Sequence, residues 1–175
     1  MVISRAKTRT LVLSALLAAL SILCGKYFAF NTGFLRISFE NLPVILAGIL
    51  FGPMTGAAVG AVADLLGCVM LGYSINPIIT VGAASIGFVA GWVWRLGDRR
   101  TPNIRLAFTV AFAHLTGSII IKSIGLYVFY HFAVSLLLLR IPNYILVGGL
   151  EFVVLRLLLS NQAFRQEMGE RFNDL

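Results

Sequence analysis

Leu42-Pro-Val-Ile-Leu-Ala-Gly-Ile-Leu-Phe-Gly-Pro-Met54 opens an apolar run that continues to Leu71 with Asp64 as its one charge. At about 30 residues the run is too long for one membrane span and short for two ideal ones. Its centre, Phe51-Gly52-Pro53-Met54, settles the reading. Pro53 has no backbone N–H, and its ring biases Gly52 away from the helical region, so a helix ends there and another begins. The run is therefore a hairpin of two helices. The first has only about 13 residues, or about 20 Å of rise, and is expected to be short, tilted or extended by the loop before it.

The rest of the chain agrees with a membrane setting. Of its 175 residues 59% are hydrophobic and 12% charged, against about 25% charged in a soluble domain, and mean hydropathy is +0.93. Further apolar runs cover 10–30, 78–94, 106–126 and 141–159. Ten of the 14 Lys and Arg residues form three clusters: Arg5, Lys7 and Arg9; Arg95, Arg99, Arg100 and Arg105; Arg156, Arg165 and Arg171. These clusters flank the runs, so the net charge of +7 follows a positive-inside bias and not a nucleic-acid footprint. If the first two clusters are both cytoplasmic, an even number of spans separates them, which again requires the central run to be two helices.

The expected fold is an all-α integral membrane protein with six transmembrane helices and cytoplasmic N- and C-termini. It forms a single domain over 1–175, with spans near 10–30, 40–52, 54–72, 76–96, 105–126 and 140–160. The first run has no small-residue cleavage site and reads as a retained helix, not a signal peptide. The apolar stretch 127–139 reads as a partly helical outer loop or as extra helix length. Cys24 and Cys68 lie within apolar runs and read as free thiols. Trp92 and Trp94, near one end of a span, read as interfacial.

Four cations, Lys26, Arg36, Lys122 and Arg140, fall between the clusters, on the side that should be outer. Ionisable groups at membrane depth are costly and mark candidate sites. Lys122 is some 17 residues, about 25 Å of helix, past Arg105, near the outer end of the fifth span. Arg140 and Asn143 open the sixth helix at the same level, Asn76 begins the fourth, and Arg36 lies in the first outer loop. Either each cation snorkels to headgroups or together they line an outward pocket that favours carboxylates; their number on a sparsely charged face favours the pocket. Asp64 and Glu151, mid-helix, are either ligand acceptors or bonds between helices. Phe34, Phe39, Tyr73, Tyr127 and Tyr130 are the aromatics placed to stack on a flat ligand. His114 and His131 show no metal spacing, and a lone His is more often packing than a ligand. Small residues at four-residue spacing (Ala15, Ala19; Gly48, Gly52, Gly56, Gly60; Ala83, Gly87, Gly91) read as close helix packing, or, for Ala15 and Ala19, as a face for another protein.

No phosphate-binding loop, metal-protease or nucleophile-elbow signature is present, so no catalytic, cofactor or metal site is expected. The run Arg36-Ile-Ser-Phe-Glu-Asn-Leu-Pro-Val-Ile-Leu-Ala-Gly-Ile-Leu-Phe-Gly-Pro, continuing through Gly60-Ala-Val-Ala-Asp-Leu-Leu-Gly67, resembles the substrate-binding (S) components of energy-coupling factor (ECF) vitamin transporters, most of all the folate type. The likeness extends over essentially the whole chain, including Ala15-x-x-x-Ala19 and Leu139-Arg140. It implies a bacterial multi-pass membrane protein that captures folate outside the cell. Delivery follows by reorientation against a coupling membrane subunit driven by two ATPase subunits. Ala15 and Ala19 become the docking face for that subunit. The candidate folate contacts are Arg36, Phe39, Asp64, Tyr73, Asn76, Lys122, Tyr127, Arg140 and Asn143, with cations meeting the glutamate tail and Asp64 or Asn76 meeting the pterin edge. The alternatives are an S component for another vitamin or a queuosine precursor, and, in another class, an intramembrane enzyme using Asp64 and Glu151.

Overall fold

The computed structural model describes residues 5–26, 28–31 and 36–167. Helix α1 (Arg5–Lys26) leads into a two-residue antiparallel ladder, in which β1 (Phe30–Asn31) pairs with β2 (Arg36–Ile37) in the register Phe30 to Ile37. Then follow α2 (Asn41–Phe51), α3 (Pro53–Leu71), α4 (Pro77–Leu96) and α5 (Pro102–Ala113). A π-helical stretch (His114–Ile121) carries α5 into α6 (Lys122–Tyr130), followed by α7 (Val134–Leu138), α8 (Arg140–Ser160) and α9 (Gln162–Glu167). Helix α1 stops at Lys26, short of the expected Phe30, which has gone into the ladder.

The break inside the central run has the expected chemistry. Gly52 sits at φ 92°, where a side chain is strained, and Pro53 starts α3 at a position whose N–H would have no partner. Helix α2 is 11 residues, about 16 Å, too short to cross a hydrocarbon core alone. It lies within the protein: α1, α3 and α4 pack around it, and Ile45, Ala47 and Ile49 are essentially inaccessible. Non-ideal backbone at membrane depth is tolerated where protein covers it.

Helix α4 is the axis of the bundle, touching α2, α3, α5, the π stretch and α6. Its small residues make this possible. A Cβ at Gly87 would collide with the backbone of Gly56, and one at Gly60 with the carbonyl of Ala83, so α3 and α4 meet backbone to backbone. The four-residue glycine spacing is thus internal packing. Around this core large apolar side chains face outward on every long helix, among them Leu16, Val69, Val81, Phe108, Ile145 and Leu157. Among the described residues five helices are long and apolar enough to cross a membrane: Lys7–Gly25, Pro53–Leu71, Pro77–Leu96, Pro102–Tyr130 and Val134–Ser160. Trp94 departs from the interfacial expectation: it is buried, with the Arg105 guanidinium 4.0 Å above its ring and Arg105 Nε donating to its carbonyl, while Trp92 is exposed.

Candidate functional site

A cavity of about 460 Å³ lies at the end of the bundle where α3 turns into α4 and α6 into α7. Its volume falls in the range of small-molecule sites. The segment before α2 contributes Ser38 and Glu40, α3 Asp64 and Cys68, and the α3–α4 turn Tyr73, Ser74 and Asn76. Lys122, Leu126 and Tyr130 come from α6, Phe132 and Leu136 from the bend and α7, and Arg140, Asn143 and Tyr144 from α8. A smaller lobe of about 90 Å³ shares Glu40, Asp64, Cys68, Tyr73 and Lys122 and reaches Ser21 and Gly25 of α1.

Lys122 is the central cation, 6% exposed, with Nζ donating to Glu40 Oε1 at 3.2 Å. An ammonium has three donors, so Glu40 neutralises the charge in part and leaves hydrogen-bonding capacity toward the cavity. Glu40 is itself fixed, because its carbonyl accepts from Ser21 Oγ at 2.6 Å. Asp64 accepts from Thr80 Oγ1 at 2.7 Å through one oxygen, which, among the described residues, leaves the second available to a donor edge. Arg140 donates through Nη to the Ser118 carbonyl at 3.0 Å and to the Tyr144 hydroxyl at 3.3 Å, and stacks over the Tyr144 ring at 5.3 Å. Its Nε is buried with no hydrogen-bond partner among the described residues. Cations on α6 and α8 and carboxylates on α3 and before α2 thus share one polar chamber in an apolar body. Such a chamber suits a molecule that is anionic at one place and a hydrogen-bond donor at another.

Of the expected site residues, Asp64, Tyr73, Asn76, Lys122, Arg140 and Asn143 line this cavity. Phe39 and Tyr127 do not, and Tyr127 is 55% exposed on the outer side of α6. Arg36 is placed by its backbone in β2, but its side chain is outside the described residues, as is Phe34. Asn76 is occupied by the fold itself. Its Oδ1 accepts from the N–H groups of Ile78 and Ile79 at 3.0 and 3.4 Å, capping α4, and its Nδ2 donates to the Gly125 carbonyl at 3.4 Å. Replacing Asn76 with Ala should lower stability by about 1 kcal/mol or more through the lost cap. A thermal melt of the purified protein checks this, and an unchanged melting temperature with weakened ligand binding would return Asn76 to the ligand.

Several lining residues were not singled out from sequence. Glu40 carried a signal, as a carboxylate on a face with few charges. Tyr144, Phe132 and Leu136 carried none, because the 127–139 stretch gave no period from which its path could be drawn. In the structure His131 takes a left-handed turn at φ 50°, and Phe132 and Leu136 then close an apolar wall of the cavity. Below the cavity Glu151 and His114 meet, Oε2 to Nε2 at 2.6 Å, so Glu151 bonds two helices together. Among the described residues no group of three or more His, Cys, Asp or Glu could hold a metal ion.

A largely helical body with apolar residues outward and a charged chamber at its end is the make-up of a membrane protein that holds a small polar molecule. The comparisons narrow this class. Residues 9–159 match the family of ECF transporter substrate-specific components, and the chain belongs to that family. It is a multi-pass membrane protein of a family of transport components, which sets aside the intramembrane-enzyme alternative. Among curated proteins it is similar to the uncharacterized MG313 homolog of Mycoplasma pneumoniae, 34% identical over 83 residues, covering 47% of this chain and 29% of that protein. It is also similar to the folate transporter FolT of Clostridium novyi, 33% identical over 61 residues, covering 35% of this chain and 36% of that one. The chain thus matches only about a third of the length of these curated relatives. A crystal structure of FolT bound with folic acid shares the fold, with TM-score 0.66 and 23% identity over 84% of this chain and 90% of that one.

Proposed function

We propose that this chain captures folate from outside a bacterial cell as the S component of an ECF transporter. It hands folate inward by reorienting against a coupling membrane subunit that two ATPase subunits drive. The observation that carries the reading is the pairing, in one cavity, of the cations Lys122 and Arg140 with the carboxylate of Asp64. Folate has the complementary layout, with two carboxylates on its glutamate tail and a donor edge on its pterin. The likeness to the Clostridium novyi folate transporter and to the FolT fold supports it.

In this reading the single domain spans the membrane six times, with α2 as the short, protein-covered second span and both termini cytoplasmic. The basic cluster at Arg95–Arg105 and the cavity lie at opposite ends of the bundle, and the positive-inside rule supports an outward-facing cavity. Lys122 and Arg140 take the tail carboxylates. Asp64 is assigned to the pterin edge in preference to Asn76, whose amide is engaged in the α4 cap. Tyr73 supplies an aromatic face, Asn143 a polar wall, and Arg36 a further cation from the first outer loop. Phe39 and Tyr127, which the cavity leaves out, drop from the set. Ala15 and Ala19 form the docking face: both are exposed, and Ala15 edges a groove of about 550 Å³ between α1 and α3.

The test is uptake of labelled folate by cells that express this chain with a coupling subunit and the two ATPases. Accumulation that needs all components and ATP supports the reading. Uptake by this chain alone, or none with every partner present, would contradict it.

A further inference from the structure

We infer that His114 and Glu151, which do not themselves line the cavity, are positioning residues that set the ligand site through Ser118 and Arg140. The inference rests on the folate reading for its ligand. Both side chains are buried, His114 at 3% and Glu151 at 0% exposed. They form a chain of contacts: Glu151 Oε2 to His114 Nε2 at 2.6 Å, His114 Nδ1 to Ser118 Oγ at 3.2 Å, and Arg140 Nη to the Ser118 carbonyl at 3.0 Å. The Tyr144 ring closes the loop, 5.4 Å from the His114 ring and with its hydroxyl accepting from Arg140.

The backbone explains why this chain of contacts matters. In an α-helix the Lys122 N–H would bond to the carbonyl four residues back, at Ser118. Here it bonds to Gly117, the five-residue register of a π-helix. That shift releases the Ser118 carbonyl from Lys122, so it can accept from Arg140, and it rotates Lys122 relative to an uninterrupted helix. Both cavity cations therefore depend on this one irregular segment. His114 spans it by gripping Ser118, and Glu151 fixes His114 from α8.

Packing alone is a poor account of the pair. Buried ionisable pairs are commonly no more stable than apolar residues of similar volume, and Glu151 Oε1 is buried without a hydrogen-bond partner among the described residues. Polar groups that cost stability while fixing geometry are expected beside functional sites.

The experiment replaces both partners together, His114→Leu with Glu151→Met, so that no lone polar group is left buried. Folate titrations of the wild type, the paired variant, Arg140→Ala and the combination form a cycle. The expected result is a folded paired variant with folate affinity weakened by about tenfold or more, by analogy with the scale on which outer-shell partners act at metal sites. Arg140→Ala should then cost clearly less in the paired variant than in the wild type. Unchanged affinity, or an Arg140→Ala effect of full size in both backgrounds, would overturn the inference. If the paired variant does not fold, Glu151→Gln is read in the same cycle. Hydrogen exchange over 114–122 separates the two claims. A wild type that ignores folate defeats the folate reading alone, whereas faster exchange there in the variant upholds the positioning role and unchanged exchange ends it.

Discussion

Lys122→Ala is expected to weaken folate binding by at least about 2 kcal/mol, roughly thirtyfold, while leaving the protein folded. The size follows from where the ammonium sits. Lys122 is almost wholly withdrawn from solvent, at a wall of the cavity shared with Asp64 and Arg140. At the effective dielectric that fits protein sites, two unit charges 4 Å apart interact by about 4 kcal/mol, of which desolvation removes a part. A carboxylate arriving beside Lys122 would use donors that Glu40, at 3.2 Å, does not take. Without Lys122 that same Glu40 carboxylate faces the ligand's like charge, so the loss exceeds that of one hydrogen bond. The fold should survive, because the Glu40 side chain is 26% exposed and can be hydrated. Calorimetric titration of the variant beside a thermal melt reads both statements. Equal affinity in variant and wild type would remove Lys122 from the site.

Ala15→Trp or Ala19→Trp is expected to abolish uptake in the assembled transporter and to leave folate binding by the isolated chain unchanged. The split follows from the two faces of α1. Ala18 is buried against the core at 5% exposure, whereas Ala15 and Ala19 are exposed. Bulk at the exposed positions therefore strains nothing inside this protein. It does prevent a partner helix from approaching closely, which is how helices associate where lipid offers little hydrophobic drive. Measuring uptake in cells and binding in detergent on the same variants separates the outcomes. Loss of binding together with uptake would mean that these alanines pack this fold instead of docking a partner.

The elements that were legible in the sequence are those governed by local chemistry. Gly52-Pro53 ends one helix and begins the next because proline restricts its own neighbourhood, whatever surrounds it. The sparse cations were legible for a similar reason, since charge within apolar sequence is costly in any fold. Asn76 carried a local signal that points away from the ligand: an Asn directly before a Pro, opening an apolar period, is a helix cap. The parts that could not be read depend on partners far along the chain. Lys122 meets Glu40 across 82 residues, and His114 meets Glu151 across 37. Neither pairing leaves a trace in spacing. The π register at His114–Ile121 is equally silent, because its composition is that of an ordinary apolar helix and only the close approach of Gly117 to α4 and the contacts of Ser118 accompany it. Trp94 shows the same limit: at a helix end it reads as an interfacial residue, and Arg105, 11 residues on, folds over it.

The most direct measurement is calorimetric titration of the detergent-purified chain with folate beside riboflavin, thiamine, biotin and pantothenate, with neither ATP nor partner subunits present. The account predicts tight one-to-one binding of folate and none of comparable strength among the others. Binding of a different vitamin in its place, or no binding of folate by well-folded protein, would contradict it.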